Sequence, residues 1–79
     1  MTEQLLDVRG LVCPLPVLRA RKALKALPAG GTLRMLATDP QAARDVRLFC
    51  EQTGHVLLES SREHDDAGEV FSFLIERRG

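Results

Sequence analysis

The sequence predicts an α+β two-layer sandwich in which two helices cover one face of a four-stranded mixed sheet. Three observations carry this expectation. The elements read strand, helix, strand, helix, strand, strand (βαβαββ); both helical segments are amphipathic; and the final strand alternates apolar and polar residues. Each helix has one face to bury and the sheet one covered and one wetter face, so the simplest arrangement sets both helices on the same side. Strand–helix–strand connections should be right-handed and parallel. The last two strands are close enough in sequence to form an antiparallel hairpin, which makes the sheet mixed.

The elements follow from the punctuation. Gln4 to Val8 is a short apolar run, read as the first strand, and Gly10 marks a turn after it. Pro14 to Leu27 has helical periodicity, with Val17, Ala20, Leu24 and Leu27 on one side; Pro28, Gly30 and Gly31 end it. Thr32 to Thr38 reads as the second strand. Asp39-Pro40 then starts a helix, because the Asp side chain caps free backbone N–H groups and the Pro ring fits a first turn. That helix runs to Thr53, with Ala42, Val46, Phe49, Cys50 and Thr53 at helical spacing and Gly54 as its stop. Val56 to Ser60 is the third strand, Ser61 to Gly68 a polar loop, and Glu69 to Arg77 the fourth strand, with Phe71, Phe73 and Ile75 facing the core.

Composition narrows the function classes. A chain of 79 residues has room for a single domain, 1–79, and buries a modest core, so a deep cavity would have to be built jointly with a partner. Hydrophobic residues make up 44%, which suits a globule rather than a disordered tail. Eleven basic residues balance eleven acidic ones, so a general polyanion binder is not expected, although a local basic stripe is compatible with zero net charge. The polar start Met1-Thr2-Glu3-Gln4 does not read as a signal peptide, and no segment is long enough to span a bilayer. Cys13 and Cys50 lie far apart in sequence, and a reducing, cytoplasmic setting with two free thiols is the expectation.

The chemistry centres on Cys13. Pro14 pushes Cys13 towards the extended backbone angles of a helix N-cap. Pro14 and Pro16 remove two donors from the first turn, which leaves the N–H groups of Leu15 and Val17 to point back at the sulfur. The positive end of the helix dipole would then favour the nucleophilic thiolate, with Arg9, Arg19 and Arg21 near in sequence. There is no Cys-x-x-Cys pair, no phosphate-binding glycine loop and no local His–carboxylate base. An activated thiolate alone suits capture of a sulfane sulfur as Cys–S–SH and its transfer onward, by analogy with thiol–disulfide exchange. The residues by themselves leave the alternative of an inert structural cysteine open.

The segment Leu6-Asp7-Val8-Arg9-Gly10-Leu11-Val12-Cys13-Pro14-Leu15-Pro16 resembles the signature of the TusA (SirA-like) sulfur-carrier family, whose hallmark is Cys-Pro-x-Pro at the start of the first helix. The likeness continues through Val17, Arg21-Lys22, Ala37-Thr38-Asp39-Pro40, Arg44-Asp45 and Phe49-Cys50. It implies sheet order 1-2-4-3 with the last strand antiparallel to the rest. It also implies that Cys13 accepts persulfide sulfur from a cysteine desulfurase and relays it to a downstream acceptor protein, in tRNA 2-thiouridine formation, molybdenum-cofactor biosynthesis or sulfur oxidation. No cofactor beyond the transient persulfide is implied.

Other residues are weighed beside this reading. Leu18 falls on the charged side of the first helix with Lys22 and Lys25, one turn from the sulfur, and Leu15 is its neighbour; the family uses this region for partner contact. Arg19, Arg21, Lys22 and Lys25 form a basic stripe suited either to solvent or to an acidic docking surface, with Arg21 also matching a family position. Asp39 caps the second helix and matches a family position associated with partner contact. Asp45 reads as a surface residue, Cys50 as core packing, and His55 as a strand-edge residue. The cluster Glu63-His64-Asp65-Asp66 reads as a solvated loop and not a metal site. Two rival functions are a non-catalytic regulatory interaction module and an RNA-binding domain. The second is disfavoured by the absence of Trp and Tyr, which leaves few stacking platforms. Neither direct nucleic-acid contact nor a membrane is expected.

Overall fold

The computed structural model describes residues 3–66 and 68–79. Its elements are β1 (Glu3–Val8), α1 (Leu15–Lys25), β2 (Thr32–Ala37), α2 (Ala42–Thr53), β3 (Val56–Asp65) and β4 (Gly68–Glu76). One four-stranded sheet has the order β1-β2-β4-β3. β1 and β2 are parallel, and β4 runs antiparallel to both β2 and β3. The mixed α+β sandwich and the 1-2-4-3 order are as the sequence and the resemblance imply.

Period-two alternation decides which face is covered. Leu33, Met35 and Ala37 of β2 lie opposite Ile75, Phe73 and Phe71 of β4, and all six are buried. Onto this floor α1 places Ala20 and Leu24, followed by Leu27, while α2 places Ala42, Val46, Phe49 and Cys50. Val17, on the expected inward side of α1, is half-buried and packs against the same core. Cys50 behaves as a small apolar core residue, and burial pushes its thiol pKa up. On the opposite face Arg34 reaches across strands to Glu3, Glu59 and Ser72.

Helix ends show how local chemistry sets lengths. α1 is shorter than the Pro14–Leu27 periodicity: its last turn tightens through Leu27 N–H donating to the Leu24 carbonyl at 3.1 Å. The Arg77 guanidinium donates to the carbonyls of Lys25 and Leu27, so a cation from the end of the chain caps this helix. α2 ends at Gly54, whose φ of 83° lets its N–H return to the Cys50 carbonyl at 2.9 Å. His55 follows, just outside β3. Its ring meets Phe49 at 5.8 Å, and its Nδ1 accepts from the Arg78 backbone N–H at 3.0 Å. Burial, then the Arg77 charge, lowers the imidazole pKa, which keeps Nδ1 free to accept.

The expected loop from Ser61 to Gly68 is a correction. β3 continues to Asp65, with Glu63, His64 and Asp65 opposite Val70, Glu69 and Gly68 of β4. This distal hairpin extends past Ala37, the last residue of β2 paired with β4, so neither face there has a layer to cover it and no apolar pattern is required. A bulge between Leu57 and Glu59 leaves Leu58 out of register and exposed, which breaks the alternation at the start of β3.

Phe73 is completely buried at the centre of the floor. Phe73→Ala should cost about 3–5 kcal/mol. That is a large part of the roughly 5–15 kcal/mol of a small domain. A urea titration followed by far-UV circular dichroism should show the midpoint falling sharply or the variant unfolded at the outset.

Candidate functional site

Parallel pairing of β1 with β2 brings both strand ends to one edge of the sheet, and each end leads into a helix. The β1–α1 loop carries Cys13; the β2–α2 turn carries Asp39. Gly10, at φ 85°, donates its N–H to Thr38 Oγ1 at 2.9 Å and holds the two connections together. Asp39 then locks them. Its Oδ2 accepts the Cys13 backbone N–H at 2.6 Å, and its Oδ1 accepts the Gln41 N–H at 3.1 Å. The expected cap is corrected: α2 begins at Ala42 with Gln41 as its N-cap, and Asp39 and Pro40 form the turn before it, in which the Asp39 side chain holds the Gln41 N–H. Asp39 is buried, with both oxygens engaged by backbone amides.

The thiol of Cys13 is exposed. It opens on a cleft of about 270 Å³ between the helices. Pro14 from the loop, Val17 and Leu18 from α1, and Asp45, Leu48, Phe49 and Gln52 from α2 line the remainder. Val12, Leu15, Leu18 and Leu48 are 65%, 41%, 51% and 42% exposed, so four of the six exposed large apolar side chains among the described residues lie on the Cys13 loop and the two helices.

Three expectations about the thiol are corrected. Pro14, not Cys13, is the N-cap of α1, and the Cys13–Pro14 peptide is cis. The Leu15 N–H donates to the Val12 carbonyl at 2.9 Å, so it is spent on a turn and is not aimed at sulfur. Finally, the Cys13 pKa is raised, not lowered: the Asp45 carboxylate accepts a hydrogen bond from the thiol, partial desolvation adds to this, and the charges of Asp45 and Asp39 act in the same direction. An exposed helix terminus contributes about 0.3–1 kcal/mol. That is less than one pH unit at about 1.36 kcal/mol per unit. Two adjacent carboxylates outweigh it. Arg9 does not reverse the balance, since its guanidinium donates to Asp7 at 2.8–2.9 Å and holds that carboxyl down at about 2.

Asp45, read from the sequence as a surface residue, is the side chain that meets the thiol. A signal for it existed: parallel strands set the starts of both helices on one edge, so a residue in the first turn of α2 is a natural neighbour of a residue just before α1. Arg21 and Lys22 are exposed on α1. α1 carries four cations and no acid, and α2 carries two of each sign, so the helix layer holds a surplus of four positive charges that the rest of the chain balances. Among the described residues, the ion pairs join Arg9 to Asp7, Arg34 to Glu3 and Glu59, Arg62 to Glu69, and Arg78 to Glu76; none uses a helix cation. His64 lies exposed on β3, and no group of three metal-ligating side chains occurs among the described residues.

Comparison with known proteins adds to this geometry. The family model for Sulfurtransferase TusA matches residues 4–77. The chain belongs to the TusA family. It is 47% identical over 75 residues to a sulfur carrier protein TusA of Allochromatium vinosum, covering 95% of this chain and 93% of that protein. It is 40% identical over 76 residues to a sulfur carrier protein TusA of Pseudomonas putida, covering 96% and 90%. The crystal structure of a SirA-like protein from Desulfitobacterium hafniense shares the TusA-family fold at a TM-score of 0.68 with 28% identity, over 94% of this chain and 97% of that one. Sulfur transfer is therefore the general chemistry of the chain. Among the described residues no helix is long and apolar enough to cross a membrane.

Two outcomes follow from the site. Asp39→Ala removes the acceptor of two backbone amides and should cost about 1–3 kcal/mol, read as a lower denaturation midpoint; Asp39→Asn keeps one acceptor oxygen and should recover part of it. The rate of Cys13 alkylation by iodoacetamide should rise with pH about a midpoint above that of cysteine in an unstructured peptide, because the neutral thiol is the favoured form.

Proposed function

We propose that this protein carries sulfane sulfur as a persulfide on Cys13, taking it from a cysteine desulfurase and passing it to an acceptor protein. The observation that carries the reading is a solvent-exposed thiol at the mouth of a two-helix cleft, ringed by apolar side chains in a chain of the sulfurtransferase TusA family. A carrier thiol must meet a donor sulfur on one protein and an acceptor on another. An exposed sulfur at the mouth of an open cleft does this where a deep pocket would not. Carriers of the same family in Allochromatium vinosum and Pseudomonas putida support the role.

Each half-reaction exchanges one S–S bond for another with no net redox change. The Cys13 sulfur attacks the terminal sulfur of the donor persulfide, the donor's S–S bond breaks, and the donor cysteine leaves as thiolate. In delivery the acceptor thiolate attacks the outer sulfur of Cys13–S–SH and Cys13 leaves. No resident cofactor is needed, because the persulfide is cargo. The Val17 amide is the remaining candidate for stabilising the sulfur anion from α1.

Leu15 and Leu18 provide the apolar centre of the docking surface, and Arg21 and Lys22 its charged rim. The unpaired cations of α1 favour partners that present acidic groups around their reactive sulfur. The acceptor sets the pathway, whether tRNA thiolation, molybdenum-cofactor assembly or sulfur oxidation.

Incubation with a cysteine desulfurase and cysteine, followed by intact mass analysis, should show a gain of one sulfur atom that reductant removes. Cys13→Ser should gain none, whereas Cys50→Ser should load like the parent. Loading of Cys13→Ser would refute the assignment.

A further inference from the structure

Cys13 reaches a thiolate only by losing a proton, and the charged groups that act on it from the neighbouring elements are both acids: Asp39 in the β2–α2 turn and Asp45 in the first turn of α2. These carboxylates are not equivalent. Asp39 is buried, and each of its oxygens already accepts a backbone N–H, from Cys13 and from Gln41. Asp45 is half-buried, lines the same cleft as the thiol, and takes part in no ion pair among the described residues. Its backbone is fixed by the bond from its N–H to the Gln41 carbonyl at 3.0 Å, which holds the residue in the wall of the cleft that also contains Cys13.

We propose that Asp45 is the proton acceptor and donor of the sulfur-transfer reaction at Cys13. The inference rests on the persulfide reading above. In uptake, the Asp45 carboxylate takes the thiol proton as the Cys13 sulfur bonds to the terminal sulfur of the donor persulfide. The S–S bond of the donor breaks, and the donor thiolate takes the proton from the Asp45 carboxylic acid. The terminal sulfur keeps its own proton, and nothing is oxidised or reduced. In delivery, Asp45 takes the proton of the acceptor thiol, the acceptor sulfur bonds to the outer sulfur of Cys13–S–SH, and Cys13 leaves and is reprotonated by Asp45. A carboxylate that suppresses the resting thiolate therefore speeds the exchange, because it relieves the leaving sulfur of charge in both directions.

The two effects have opposite signs in one variant, which makes them separable from a structural role. Asp45→Asn removes the charge and the basic site while keeping the size. Cys13 alkylation by iodoacetamide should then shift its midpoint to lower pH and quicken near neutrality. Single-turnover loading from glutathione persulfide, quenched and read by intact mass, should slow by about a hundredfold. Asp45→Glu should restore most of the loading rate, and circular dichroism should match the parent for both variants. An unmoved alkylation midpoint, or loading of Asp45→Asn at or above the parent rate, would overturn the role of Asp45 while leaving the carrier reading intact. Failure of the parent protein to load would overturn both.

Discussion

One carboxylate fixes the geometry on which the site depends. Asp39 belongs to the turn that starts α2, yet its closest bond is to the backbone N–H of Cys13, twenty-six residues earlier. The other oxygen holds Gln41, so a single side chain sets where α2 begins and where the reactive loop lies relative to it. Buried carboxylates are costly unless fully bonded, and this one is bonded at both oxygens. Without it the thiol would hang on a loop following an edge strand that buries only Val8. With it, the sulfur is held beside the first turn of the second helix.

That placement determines the electrostatics. The end of α1 offers a modest positive potential, and its first turn contains two prolines and an amide already committed to Val12. The groups that come close are acidic. Their charges raise the Cys13 pKa and favour the neutral thiol. A strongly stabilised thiolate on an exposed surface would react with any electrophile and would be a poorer nucleophile for its charge. A thiol that ionises only as it reacts suits a protein that must hold its cargo between two encounters.

Much of this was legible in the sequence, for identifiable reasons. Helical spacing in both helices and strict alternation from Phe71 to Ile75 report one-sided burial, and one-sided burial fixes the layers. Asp39-Pro40 and Gly54 report helix ends because their side-chain and backbone chemistry is local. Cys13 was found through the prolines that follow it. The distal half of β3 was not legible, since its own residues are polar and carry no alternation, and its pairing with β4 is made by backbone hydrogen bonds. The state of the thiol was misread because it is decided by Asp45, which lies close in space and thirty-two positions away in the chain. Spacing along a helix records which face a residue occupies and carries no information about which loop that face meets.

The layering of charge has a further consequence for a molecule with no net charge. The Cα framework is only 17 Å through its shortest dimension and 37 Å along its longest. At physiological ionic strength fields decay over about 8 Å. A body approaching the helices therefore senses their surplus cations while ions in solution veil the acids of the strands behind. The protein is neutral on average and polarised at close range, so an anionic body would turn its helix layer forward before any side chains meet.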